Sequence, residues 1–106
     1  MRDLLDEIET WRREGRQVAL ATIVKVWGSA PRPLGAKMAV TADGGIAGSV
    51  SGGCVEGAVY EEAQAVLRDG RPKLVHFGVS QDDAWAVGLT CGGQIDVYIE
   101  PLLPLP

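Results

Sequence analysis

Val18 to Trp27 limits the fold of this chain more than any other stretch. Eight of its ten residues are apolar, and they fall on both alternating faces. Val18, Leu20, Val24 and Val26 fall on one face, and Ala19, Ala21, Ile23 and Trp27 on the other. A strand with this pattern is expected to be buried on both sides, which places it in the middle of a sheet. The remaining elements have to be arranged around it.

Leu4, Leu5, Ile8 and Trp11 recur at helical spacing, opposite Asp6, Glu7, Glu9 and Arg12. This pattern predicts an amphipathic helix over residues 3–14, capped by Asp3 and stopped at Gly15, with Trp11 in the core. Lys37–Thr41 and Ile46–Val50 read as short antiparallel strands around the turn Asp43-Gly44-Gly45. After Gly53, Val55, Ala58, Val59, Ala63, Val66 and Leu67 share one face of a second helix, which Gly70 closes. Lys73–Val79 reads as a strand, and Ser80–Ala86 as a polar turn of helix. Gln94–Glu100 reads as a strand with Ile95, Val97 and Ile99 inward. The expected fold is α+β: two layers, with a mixed, largely antiparallel sheet of about five strands packed by two main helices. A doubly wound nucleotide fold is not expected, because strands and helices alternate too seldom. Residues 1–101 form the expected domain, and 102–106, with two prolines after Pro101, a proline-rich tail or truncated linker.

Composition serves to exclude. Among 106 residues the net charge is −4, with no basic run, so nucleic acid is not an expected partner. No apolar segment reaches membrane-spanning length, and the start Met1-Arg2-Asp3-Leu4-Leu5-Asp6 is unlike a signal peptide. The expected location is the cytoplasm, where the two cysteines stay reduced.

The chemistry concentrates in two glycine-cradled thiols. Gly48-Ser49-Val50-Ser51-Gly52-Gly53-Cys54-Val55-Glu56 runs from a strand into the first turn of a helix, and Gly88-Leu89-Thr90-Cys91-Gly92-Gly93-Gln94 comes late in the chain. Unpaired backbone N–H groups at a helix start favour anions and a thiolate. Ser29, Ser49 and Ser51 add hydroxyls, and Arg32 and Lys37 add cations near these loops. Gly48–Gly53 has the glycine spacing of a phosphate loop but lacks the following Lys-Ser/Thr. Two cysteines and one histidine do not complete a structural zinc site, and no C-x-x-C pair is present. Glu56 can act as a general base or cap its helix by reaching back to Gly53, the cap being favoured. His76, in mid-strand, is read as structural or surface. The plainer alternative is that the glycines only make turns and the cysteines only fill the core.

Three motifs in order carry a resemblance: Gly28-Ser29-Ala30-Pro31-Arg32-Pro33-Leu34-Gly35-Ala36-Lys37-Met38, then Gly48–Glu56, then Cys91-Gly92-Gly93 before a strand ending Glu100-Pro101. From about Val18 to Pro101 the chain resembles the N-terminal domain of the XdhC/CoxI family, the xanthine dehydrogenase accessory proteins. The resemblance implies a cofactor-delivery chaperone more than an enzyme with its own turnover. Such a chaperone binds molybdenum cofactor (molybdopterin) transiently, assists its sulfuration and inserts it into an apo molybdenum hydroxylase of the xanthine or carbon monoxide dehydrogenase type. A cysteine desulfurase is then a further partner, and a homodimer the expected assembly. The implied cofactor-binding set is Ser29, Arg32, Lys37, Ser49, Ser51, Gly52, Gly53, Cys54, Glu56, Cys91, Gly92 and Gly93. Cys54 and Cys91 are the candidate molybdenum ligands. Many family members continue into a Rossmann-like domain, and this chain ends at its proline-rich tail. Two other readings stand beside this one: a cysteine-based sulfur-transfer or redox enzyme, and a docking module without a cofactor site.

Overall fold

The computed structural model describes residues 4–27, 34–50, 56–77 and 94–102. In chain order they form α1 (Leu4–Arg13), β1 (Val18–Trp27), β2 (Lys37–Thr41), β3 (Ile46–Gly48), α2 (Glu56–Asp69), β4 (Lys73–Phe77) and β5 (Gln94–Pro101). The five strands make one open sheet in the order β3-β2-β1-β5-β4, and every pairing among the described residues is antiparallel. The fold is α+β, as expected, and β1 is its central strand. The predicted turn of helix at Ser80–Ala86 lies outside the described residues.

The main core lies between the sheet and α2. Ala19, Ala21, Ile23, Met38, Val40, Ile95, Val97 and Ile99 from the sheet meet Val59, Ala63 and Val66 of α2, all of them buried. Each fully buried valine or isoleucine contributes about 1.5–3 kcal/mol of transfer free energy. A smaller cluster forms on the opposite face, where Ile8 and Trp11 of α1 cover Val18 and Ala39. Alternation along β1 and β2 accounts for both clusters, since Val18 and Ala39 point away from the side that Ala19 and Val40 share.

The pattern in the second half of β1 departs from simple alternation. The register with β5 shifts between Ile23 and Lys25, so that Ile23 pairs with Val97 and Lys25 already with Asp96. Val24 is the extra residue of a β-bulge and is 46% exposed. The bulge reverses the parity: Val26 packs on the main core beside Ile23 instead of sharing a face with Val24. The expectation of burial on both sides therefore holds only for the first half of the strand.

Glycines close the turns. α1 ends in a Schellman motif, with Gly15 N–H donating to Arg12 O, Arg16 N–H to Trp11 O, and Gly15 at φ +78°. The β2–β3 turn is organised by Thr41, which is fully buried. Its hydroxyl accepts from Gly45 N–H (2.6 Å) and donates to Asp43 Oδ1, and its carbonyl accepts from Gln64 Nε2 on α2. β3 stops at Gly48, two residues earlier than the sequence suggests, because Gly48 turns to φ +78°. Val50 then enters the main core.

Two measurements check this geometry. A Cβ on Gly48 would lie 2.5 Å from Lys37 O in a left-handed conformation, whereas one on Gly57 in α2 meets nothing within 4 Å. Gly48→Ala is therefore expected to lower stability in urea unfolding by about 2 kcal/mol, and Gly57→Ala to raise it by roughly 0.5–1 kcal/mol. Shifts of the same sign at both positions would contradict the backbone. The Asp43 carboxyl is held below its ordinary pKa, chiefly by the Thr41 hydroxyl and further by Arg16. A depressed carboxylate stabilises above its unfolded pKa and loses that contribution as pH falls through the folded one. The stability gap between the unmodified chain and Asp43→Asn is thus expected at neutral pH and should close below about pH 4.

Candidate functional site

The antiparallel order gathers particular chain ends at one end of the sheet. Trp27 closes β1 opposite Gln94, which opens β5, and Phe77 closes β4 opposite Ile95. Lys37 opens β2, Gly48 closes β3 opposite Met38, and Glu56 opens α2. The segments 28–33, 51–55 and 78–93 begin and end here. They hold Ser29, Arg32, Ser51, Gly52, Gly53, Cys54, Cys91, Gly92 and Gly93, all of which lie outside the described residues. Lys37, Ser49 and Glu56 are described.

A carboxylate joins two of these elements. Glu56 Oε2 accepts from the Ser49 hydroxyl at 2.5 Å and from Val50 N–H at 3.0 Å. Ser49 N–H in turn donates to Lys37 O at 3.0 Å. The end of β3, the start of β2 and the start of α2 are thereby held together. The donors described for Glu56 are Ser49 and Val50, and Gly53, its expected cap partner, lies outside the described residues.

Lys37 joins this network through its backbone, while its side chain points elsewhere. By the alternation of β2 it shares the face of Ala39, opposite α2, and its exposed ammonium donates to Gly35 O at 3.3 Å. On the same face a row of three side chains crosses β1, β5 and β4, with Lys25 paired in register with Asp96 and Asp96 with His76. His76 Nδ1 lies 2.7 Å from Asp96 Oδ1, and Nε2 lies 3.1 Å from Gln94 Oε1. The histidine is half exposed at the surface of an edge strand, in keeping with its reading as a surface residue. β3 and β4 are opposite edges, about 19 Å apart at the usual strand spacing. His76 is thus far from the Glu56 end of α2 and badly placed to serve as its base.

Among the described residues, no group of three His, Cys, Asp or Glu side chains is placed to hold a metal ion. Nor is any described helix long and apolar enough to cross a membrane. A cleft of about 390 Å³ opens at the other end of the sheet, lined by Arg12, Arg16, Gln17, Leu67 and Leu102 among others, and contains none of the candidate residues.

Comparison with known proteins bears on what this end of the sheet does. The model of the XdhC and CoxI family matches residues 11–78. The chain is 40% identical over 89 residues to the molybdenum cofactor insertion chaperone PaoD of Escherichia coli K12, covering 83% of this chain and 27% of PaoD. It is 40% identical over 86 residues to a Bacillus subtilis 168 protein named as a probable xanthine dehydrogenase subunit, covering 79% of this chain and 26% of that protein. A crystal structure titled as a xanthine dehydrogenase from Bacillus halodurans matches with a TM-score of 0.75 at 35% identity, over 92% of this chain and 30% of that one. The chain therefore spans 26–30% of the length of these three proteins.

The exposed ammonium of Lys37 makes that residue a clean probe. Lys37→Ala is expected to change stability by less than about 0.5 kcal/mol in thermal unfolding, because the backbone makes the contacts that matter. A larger loss would mean that the side chain helps to hold the sheet.

Proposed function

The chain belongs to the XdhC and CoxI family, and from that membership we propose that it serves the maturation of molybdenum hydroxylases. In this reading it holds molybdenum cofactor transiently and passes it to an apoenzyme of the xanthine dehydrogenase or carbon monoxide dehydrogenase type, sulfuration of the metal being part of that passage. The observation that carries the reading is the 40% identity, across 83% of this chain, to a protein named as a molybdenum cofactor insertion chaperone.

The topology supports it. All three segments bearing the glycine and cysteine motifs depart from the same end of the sheet, as a shared ligand requires. Lys37 and the start of α2 lie on opposite faces there, and a ligand touching both must straddle the rim. Molybdenum cofactor has two chemically different ends, a terminal phosphate on the pterin side and an oxo-metal dithiolene. Lys37, Arg32 and Ser29 suit the phosphate or the metal-oxo groups. Backbone N–H groups around Ser51, Gly52, Gly53, Gly92 and Gly93 suit close approach, and Cys54 or Cys91 suits the soft metal. The reading includes a cytoplasmic location, pairing of two copies, and a cysteine desulfurase as sulfur source.

The test is direct titration of molybdenum cofactor into the purified, reduced chain. Binding is expected, and Cys54→Ala, Cys91→Ala or Arg32→Ala should weaken it by about tenfold or more. Unchanged binding in all three variants would reject the site assignment. No binding by the unmodified chain would reject the reading for this chain.

A further inference from the structure

We propose that Glu56 is a positioning residue of the cofactor site, acting through the chain it holds and not as a ligand or a base. The inference rests on the reading that segment 51–55 carries cofactor-binding groups.

One oxygen, Oε2, accepts from both the Ser49 hydroxyl and Val50 N–H, at 2.5 and 3.0 Å. Ser49 and Val50 are the last described residues before segment 51–55, and Glu56 is the first after it. A single carboxylate therefore straps together the two points from which five residues depart. Both points are rigid. On one side, Val50 is fully buried, Ser49 N–H is bonded to Lys37 O, and Gly48 has no room for a side chain. On the other, α2 is anchored in the core by Val59, Ala63 and Val66.

Hydrogen bonds to a carboxylate are roughly twice as strong as neutral ones. A carboxylate in the first turn of a helix also complements the helix dipole, so the strap costs α2 nothing. Oε2, the oxygen that holds the strap, already accepts two hydrogen bonds, so a proton or ligand taken at that oxygen would break the strap and free the two ends.

Glutamine separates the alternatives, because its carbonyl oxygen can accept both hydrogen bonds while its charge and basicity are gone. Two quantities are measured for the unmodified chain, Glu56→Gln, Glu56→Ala and Ser49→Ala: hydrogen exchange of the Val50 amide, and the Kd for molybdenum cofactor. Glu56→Ala is expected to exchange Val50 and to release cofactor about tenfold more readily. Glu56→Gln should stay within about threefold of the unmodified chain in both. Ser49→Ala should fall between them, and it decides the matter if Glu56→Ala does not fold. Cofactor binding as weak in Glu56→Gln as in Glu56→Ala, with Val50 still protected, would make Glu56 a ligand or base and overturn the inference. Unaltered exchange and affinity in Glu56→Ala would also overturn it. If the unmodified chain binds no cofactor, the reading of the site fails and the positioning role with it. Val50 exchange would then report only whether the strap exists.

Discussion

The register between β1 and its two neighbours is the constraint on which the rest of this structure depends. β1 pairs with β2 on one side and β5 on the other, and it contributes to the apolar clusters on both faces of the sheet. Side chains alternate with a period of two, so a slip of one residue would turn Ala19, Ala21 and Ile23 away from α2 and bury the wrong set. The bulge at Val24 is such a slip, confined to one position. It comes after Ile23, where the strand has passed the deepest core, and it returns Val26 to the α2 side. The same step leaves Lys25 opposite Asp96 on the outer face, so one inserted residue both keeps the core closed and creates a polar row.

The up-and-down order then sorts the connections. α1–β1, β2–β3 and α2–β4 join at one end, through residues 14–17, 42–45 and 70–72. These are short, and Gly15, Gly44 and Gly70 all sit at positive φ within them. They are turn-makers, and nothing in the three motifs lies there. β1–β2, β3–α2 and β4–β5 join at the other end, where the chain between elements runs over 28–36, 49–55 and 78–93. Glycine thus has two uses in this chain, and the sequence alone lists them together. Gly48 has a foot in both, since it opens a motif yet is required by the close approach of Lys37 O.

The elements were legible because alternation and helical spacing are local signals. β5 shows the simplest case: Ile95, Val97 and Ile99 are buried where the sequence puts them inward. The bulge is marked in the sequence only by Lys25, which strict alternation from Ile23 would turn toward α2, because Val24 and Val26 are both apolar. The Ser49 and Val50 donors to Glu56 were not legible. A bond from Ser49, seven positions back, depends on where β3 ends, and β3 ends at Gly48 because of a contact with β2. Lys37 reads as a cation near the motifs, but its face follows from its pairing with Thr22, which a linear reading does not contain. Of the candidate site, Lys37, Ser49 and Glu56 lie among the described residues.

Glu56 also changes the electrostatics at the start of α2. A helix N-terminus presents about half a positive charge. The Glu56 carboxylate, a full negative charge in the first turn, more than offsets it. The start of α2 is therefore a weaker attractor of phosphate than its glycines and N–H groups suggest, and the same carboxylate opposes ionisation of a thiol two residues away in sequence. In the proposed reading both effects work against a strongly activated thiol in segment 51–55, which a sulfur-transfer enzyme would need at this position. They work much less against a neutral thiol that meets a metal already carrying its own charge, because the metal itself drives deprotonation on binding. A cysteine that becomes a thiolate only when its cargo arrives suits reversible holding, which is what a carrier requires. In the proposed reading the cationic work at the loop end then falls to Lys37 and Arg32, and the start of α2 contributes rigidity.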